Sequence, residues 1–145
     1  MQSSSSATSK INLICCLAEV ASLIQHEGPG WRLVRDLNRG NYSVLVGGLS
    51  WAFELTEAEW ICLSDVVLEL VDQHRVLVDQ LMLEESIELE LDRAPWWCCL
   101  DGDRASWSLS VVLSAPDARS VEGRWPSPAA QAMAAAMRTL RETAL

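Results

Sequence analysis

The carboxylates of this chain are the first groups to ask for chemistry. Glu84, Glu85, Glu88, Glu90 and Asp92 crowd into one short stretch, a composition that can hold a divalent cation or meet a basic partner. The same stretch alternates, with Ile87, Leu89 and Leu91 on one side and Glu88, Glu90 and Asp92 on the other. That period of two is expected of a strand with one wet face, and a solvated face is the simplest reading of the acids. Asp101-Gly102-Asp103 resembles the opening of a calcium loop but lacks the other oxygen ligands and the closing Glu. Hairpin-turn chemistry accounts for it.

Nucleophilic catalysis needs a base beside a Ser, Thr or Cys. Neither His26 nor His74 stands in a motif that places it so, and His74 falls on an apolar helical stripe, as a satisfied core histidine does. Gly28-Pro29-Gly30 and Gly47-Gly48 lack the Lys-Ser/Thr and the helix start of a phosphate loop. The five cysteines include the adjacent pairs Cys15-Cys16 and Cys98-Cys99, spacings of neither a disulfide framework nor a zinc site. Reduced thiols in a cytoplasm are expected. We therefore expect no catalytic, cofactor-binding or metal-ligating residue, no cofactor, and a protein that is not an enzyme.

Tryptophan is the remaining signal, with seven against one Tyr and one Phe. Trp31, Trp51, Trp96, Trp97 and Trp107 fall on expected strands, where stacking platforms for single-stranded nucleic acid are built, although core packing is the plainer use. Adjacent strand residues face opposite sides, so one of Trp96 and Trp97 is either covered by the N-terminal segment or a partner, or exposed as a contact residue, and that residue is the best pointer to a binding surface. The candidate surface is Trp96, Trp97 and Trp107 with Arg32, Arg35 and Arg104.

With 20 acidic and 11 basic residues the chain carries a formal charge of -9, which repels phosphate backbones and anionic lipid. Arginines are scattered without a run, and Lys10 is the only lysine. An unknown protein partner is therefore expected first, a single-stranded nucleic acid second, and a membrane not at all. An apolar patch with an acidic rim favours the protein partner. Arg32, Arg35, Arg39 and Arg104 converging beside an exposed Trp would favour the nucleic acid.

The elements that must position these residues are read from periodicity. Trp31 to Leu37, Tyr42 to Val46 and Leu49 to Leu55 read as three strands of an antiparallel meander, turned at Asn38 to Asn41 and at Gly47-Gly48. Thr56-Glu57-Ala58-Glu59 is a capping box. From there Trp60, Leu63, Val67, Leu70, Val71, His74, Leu77, Val78 and Leu81 trace one helical stripe. Ile87 to Leu91, Trp96 to Leu100, Ser106 to Leu113 and Arg119 to Trp125 return to strand. Pro126-Ser127-Pro128 leads into an Ala-rich helix from Ala129 to Leu145. Hairpin-linked strands and two closing helices give an α+β domain of tandem antiparallel-sheet-plus-helix units.

Residues 25–145 are expected to form that single domain. Residues 1–24 form an extension whose apolar run Ile11 to Ile24 is too short and too polar to span a bilayer. It reads as an accessory helix, as a signal peptide without a convincing cleavage site, or as sequence upstream of the true start, the last preferred.

GPGWRL at Gly28 to Leu33, VGGLSWAFELTEAEW at Val46 to Trp60, DQLMLEESIELELD at Asp79 to Asp92 and VEGRWP at Val121 to Pro126 together resemble a small cyanobacterial family, domain of unknown function 1818, over about Gln25 to Leu140. The resemblance implies a fold similar to the Whirly-type single-stranded-DNA-binding transcriptional regulators, in which a repeated four-strand-plus-helix motif makes two sheets with helices across them. It implies no function, since fold alone carries none.

Overall fold

A computed structural model of the chain describes residues 22–82 and 84–143. Cys15, Cys16, most of the Ile11 to Ile24 run and the last two residues of the expected C-terminal helix lie outside the described residues. Strands β1 (Leu23–Gly28), β2 (Trp31–Asp36), β3 (Val44–Gly47) and β4 (Ala52–Leu55) are followed by helix α1 (Glu57–Val78). Strands β5 (Ile87–Arg93), β6 (Trp96–Gly102), β7 (Trp107–Ser114) and β8 (Ser120–Trp125) are followed by helix α2 (Ala129–Thr143). Each set of strands makes a four-stranded antiparallel meander in chain order. Among the described residues the architecture is α+β, two sheets and two helices.

The first meander has one strand more than periodicity suggests. Strand β1 pairs with β2 from Leu23↔Asp36 to Gly28↔Trp31, yet its inward positions are Ile24, His26 and Gly28, with a single aliphatic side chain to announce a buried face. Strand β3 starts at Val44 rather than Tyr42, whose ring lies under the Arg119 guanidinium at 4.9 Å. Strand β4 starts at Ala52 rather than Leu49. The Gly48 amide donates to the Trp51 carbonyl at 2.8 Å, closing a turn that leaves Leu49 88% exposed.

Helix α1 begins where the capping box requires. The Glu59 amide donates to Thr56 Oγ1 at 3.1 Å and the Thr56 amide to Glu59 Oε1 at 2.9 Å, satisfying two amides that the first turn leaves without helical partners. It ends at Val78, with Asp79 as its C-cap, so Leu81 of the expected stripe lies beyond it. Trp60, Leu63, Val67, Leu70 and His74 of that stripe are buried, as are Ser64 and Val66.

The first helix packs chiefly across the sheet that is not its own, and the second lies across both. Helix α1 follows the first meander but lies on β5 and β6, whereas α2 follows the second and lies on β2 as well as β7. The two helices also touch, and Arg141 Nη1 of α2 donates to Ser64 Oγ and Asp65 Oδ1 of α1, both at 2.6 Å. Such crossing makes one core of the two halves. Leu33, Val46, Leu55, Leu63, Leu100, Leu109, Met133 and Met137 are all fully buried in it.

Indoles lock the halves together. Trp125 at the end of β8 is fully buried, and its Nε1 donates to the Gly47 carbonyl of β3 at 2.9 Å. Trp96 of β6 does the same to the Glu59 carbonyl in the first turn of α1, also at 2.9 Å. Trp51 stacks on Phe53 with ring centroids 5.3 Å apart and tilts against Trp125 at 4.9 Å. A Cβ on Gly48 would come within 2.3 Å of the Trp51 ring, and one on Gly123 within 2.4 Å, so this indole is seated between two backbones that only glycine lets approach. The Gly-Gly and Glu-Gly-Arg-Trp strings are therefore two sides of one contact.

Candidate binding surface

The alternation of β6 sorts the candidate tryptophans. Trp96, Cys98 and Leu100 point into the core, fully or almost fully buried, which leaves Trp97, Cys99 and Asp101 on the outer face of the second sheet. Trp96 is therefore no contact residue: it is 1% exposed and hydrogen-bonded internally. Trp107 is also withdrawn from the surface, buried at the start of β7 against the His74 ring at a centroid distance of 5.9 Å. His74 is a satisfied core histidine, with Nε2 2.9 Å from the Asp103 carbonyl. Trp97 alone of the three is half-buried and reachable.

The strand register sets what surrounds it. One row across the outer face runs Asp92, Trp97, Val112, Glu122, and the next runs Glu90, Cys99, Ser110, Arg124. A third runs Glu88, Asp101, Ser108. Neighbouring strands lie about 4.8 Å apart and alternate residues of a strand about 6.6 Å apart. Asp92 thus flanks Trp97 directly, and the other carboxylates stand within a few such steps. A shallow cleft of about 520 Å³ opens here, lined in part by Trp97, Ser110, Val112, Glu122 and Arg124.

The charges of this face do not balance. Arginines pair with Glu54, Glu57, Glu59, Asp65, Glu69, Asp72 and Asp79 elsewhere. Among the described residues none of those ion pairs includes Glu88, Glu90, Asp92, Asp101 or Glu122. The one base on the face, Arg124, donates from Nη2 to Ser108 Oγ at 3.0 Å. Burial first, and then the charges of Glu88, Asp101 and Glu90, push the Cys99 thiol up to about 11. The ligand atoms of Glu88, Glu90 and Cys99 lie within 4.8 Å of one another, close enough for a metal. Glu88 and Glu90 are exposed, however, and the remaining carboxylates are spread along the face rather than gathered on one point.

The arginines of the candidate surface do not converge on an exposed Trp. Arg32 is exposed on the outer face of the first sheet, in register with Glu27 and Gly47. Arg35 points the other way, half-buried, and binds Glu57 through Nε at 2.9 Å and through Nη2. Ser43 also donates to that carboxylate, at 2.6 Å. Burial raises the Glu57 carboxyl, but the Arg35 and Ser43 hydrogen bonds and the Arg35 charge outweigh it and hold the group below its ordinary value. Arg39 pairs with Glu54. Arg104 lies in the β6–β7 turn, 4.0 Å from Asp79. Glu122 and Val112, which complete the Trp97 row, escaped sequence reasoning because only the β6–β7 and β7–β8 registers bring them there.

A larger cleft of about 780 Å³ runs beside α1, lined by Leu68, Val76 and Leu77 with Asp65, Glu69, Asp72 and Arg93. Its charges are already matched, Arg93 with Glu69, Arg138 with Asp72 and Arg141 with Asp65. No helix among the described residues is long and apolar enough to cross a membrane.

Residues 26–140 match DUF1818, a domain of unknown function. A protein of unknown function from Prochlorococcus sp. NATL2A, described as of the DUF155 family, has a crystal structure that superimposes with a TM-score of 0.78 at 45% identity. The alignment covers 81% of this chain and 97% of that one. No curated protein matches the chain.

Proposed function

This chain belongs to the DUF1818 family, and we propose that it is a non-enzymatic protein-binding module, of an assembly or regulatory kind, whose contact surface is the outer face of β5–β8 centred on Trp97. One observation carries this reading: a reachable indole stands in a field of five carboxylates that no ion pair of the described residues neutralises. Aromatic side chains are enriched at the centres of protein contacts, and a polar rim surrounds them. The same field opposes a phosphate backbone.

Two meanders each closed by a helix also suit the Whirly-like fold that the resemblance implies. We take that likeness as architectural, because Arg32, Arg35 and Arg104 point to three different places, Arg32 alone lining a cleft with Trp31 and Trp51, while Trp97 sits among acids. The free thiols Cys62, Cys98 and Cys99 suit a reducing cytoplasm. Neither described histidine is paired with a nucleophile, and no cofactor enters the reading.

A photo-reactive phenylalanine analogue placed at position 97 tests it in native lysate, with position 49 as the exposed control. The expected result is a protein adduct specific to position 97. Equal adducts from both positions, or saturable salt-sensitive binding of single-stranded oligonucleotides that shifts the Trp97 indole resonance, would overturn it.

A further inference from the structure

Resting on the reading of the Trp97 face as a protein contact, we propose that the segment it accepts is cationic and arginine-bearing, laid extended across the second sheet with one guanidinium flat on the Trp97 indole. The argument is charge complementarity on a known grid. Five carboxylates face one guanidinium on this surface, and that guanidinium, Arg124, is turned to a serine. Asp92 stands beside Trp97 in its own row and Glu90 beside Cys99 in the next.

The geometry selects the form of the cation. A guanidinium is planar and weakly hydrated, so it stacks on an indole face while its edge N–H groups reach flanking carboxylates, which a compact ammonium does less well. Alternate residues of an extended chain repeat at about 6.6 Å, the same interval that separates the Asp92–Trp97, Glu90–Cys99 and Glu88–Asp101 rows. Bases at alternate positions of a partner segment therefore meet successive rows. A small divalent cation fits less well, because it needs several oxygens on one centre. A second copy presenting the same face would bring like charges together.

The test is a titration of the isotope-labelled full-length chain with the heptapeptide Arg-Ser-Arg-Ser-Arg-Ser-Arg, followed through the Trp97 indole N–H and the β6 amides. Lys/Ser and Glu/Ser peptides of equal length serve as controls. The Arg peptide is expected to bind saturably with shifts confined to β5–β8, more tightly than the Lys peptide by about two- to fivefold, the range of an exposed cation–π contact. Trp97→Ala is expected to remove that preference and Trp97→Tyr to keep it. Glu90→Gln and Asp92→Asn are each expected to weaken binding by up to about fivefold, the range of an exposed ion pair. These positions are on the surface, and unchanged amide spectra of the core verify each variant's fold.

Shifts scattered over other faces, or the same affinity in Trp97→Ala, would overturn the proposal. A position-97 adduct to a protein segment without basic residues would also overturn it while leaving the protein-binding reading in place. Peptide binding at β5–β8 with no specific protein adduct would do the reverse. Light scattering during the titration detects self-association, and binding that depends on it rather than on the peptide would also defeat the proposal.

Discussion

Gly123→Ala tests how the two halves are joined. The new Cβ would sit 2.4 Å from the Trp51 ring, against an ordinary carbon contact of about 3.5 to 4.0 Å, so one side must move by more than an ångström. The indole is hemmed on several sides, although its edge lines the surface clefts beside Gly48 and Gly123. Gly48 lies against the ring with its own Cβ direction 2.3 Å away, Phe53 stacks at 5.3 Å and Trp125 blocks at 4.9 Å. Overpacking of this kind costs about 1 to 3 kcal/mol, and for a chain of this size that lowers Tm by roughly 3 to 12 °C.

With Trp51 removed the sign should reverse. In a Trp51→Ala background the Gly123→Ala methyl meets no ring, and Ala in a strand is about 0.5 to 1 kcal/mol better than Gly. The double-mutant cycle should therefore show a coupling of about 1.5 to 4 kcal/mol, measured by urea unfolding of the four proteins. Equal cost of Gly123→Ala with and without the indole would refute the account of why these glycines stand where they do.

Trp96→Phe keeps an aromatic ring but leaves a void in the core and removes the indole donor from the Glu59 carbonyl. Chemical denaturation should show a loss of about 1 to 3 kcal/mol, whereas Trp97→Phe on the outer face should cost under about 0.5 kcal/mol. Glu57→Gln should flatten the acid limb of the stability profile. The folded Glu57 carboxyl is held below its ordinary value of 4.5, so its contribution is present above that pH and lost as pH falls through the depressed value. Unfolding midpoints measured from pH 6 down to 3 show whether the wild type falls more steeply than the variant. Thr56→Ala should cost about 1 kcal/mol through loss of the α1 cap, read from the same denaturation curves. Cys98 and Cys99, with thiols pushed up to about 12 and about 11, should resist iodoacetamide at pH 8 in the folded protein. Peptide mapping that finds either modified as fast as in the unfolded chain would contradict that burial.

Local rules in the sequence reach far into this fold. The capping box placed the start of α1 because Thr56 and Glu59 satisfy each other's amides whatever the rest of the chain does. The Ile-Glu-Leu-Glu-Leu-Asp alternation placed β5 and its wet face because a strand's side chains must alternate. It also followed that Trp96 and Trp97 face opposite ways. What periodicity could not reveal was β1, whose inner face is Ile24, His26 and Gly28, nor the shortened β4, since Leu49 in a turn looks like Leu49 in a strand until the Gly48 amide finds the Trp51 carbonyl.

Which of the two indoles is inside was decided only by tertiary packing. Trp96 turned inward because α1 crosses the second sheet rather than its own and offers the Glu59 carbonyl to its Nε1. Arg35 and Arg104 were removed from any common surface in the same way, by Glu57 at the start of α1 and by Asp79 just after its end. The acids of β5 could be read as a wet strand from their spacing. That they share a face with Asp101, Glu122 and a reachable Trp97, with Arg124 as the one base among them, depends on the register of four strands across some 35 residues, and pairing between distant strands is not encoded in the period of any one of them.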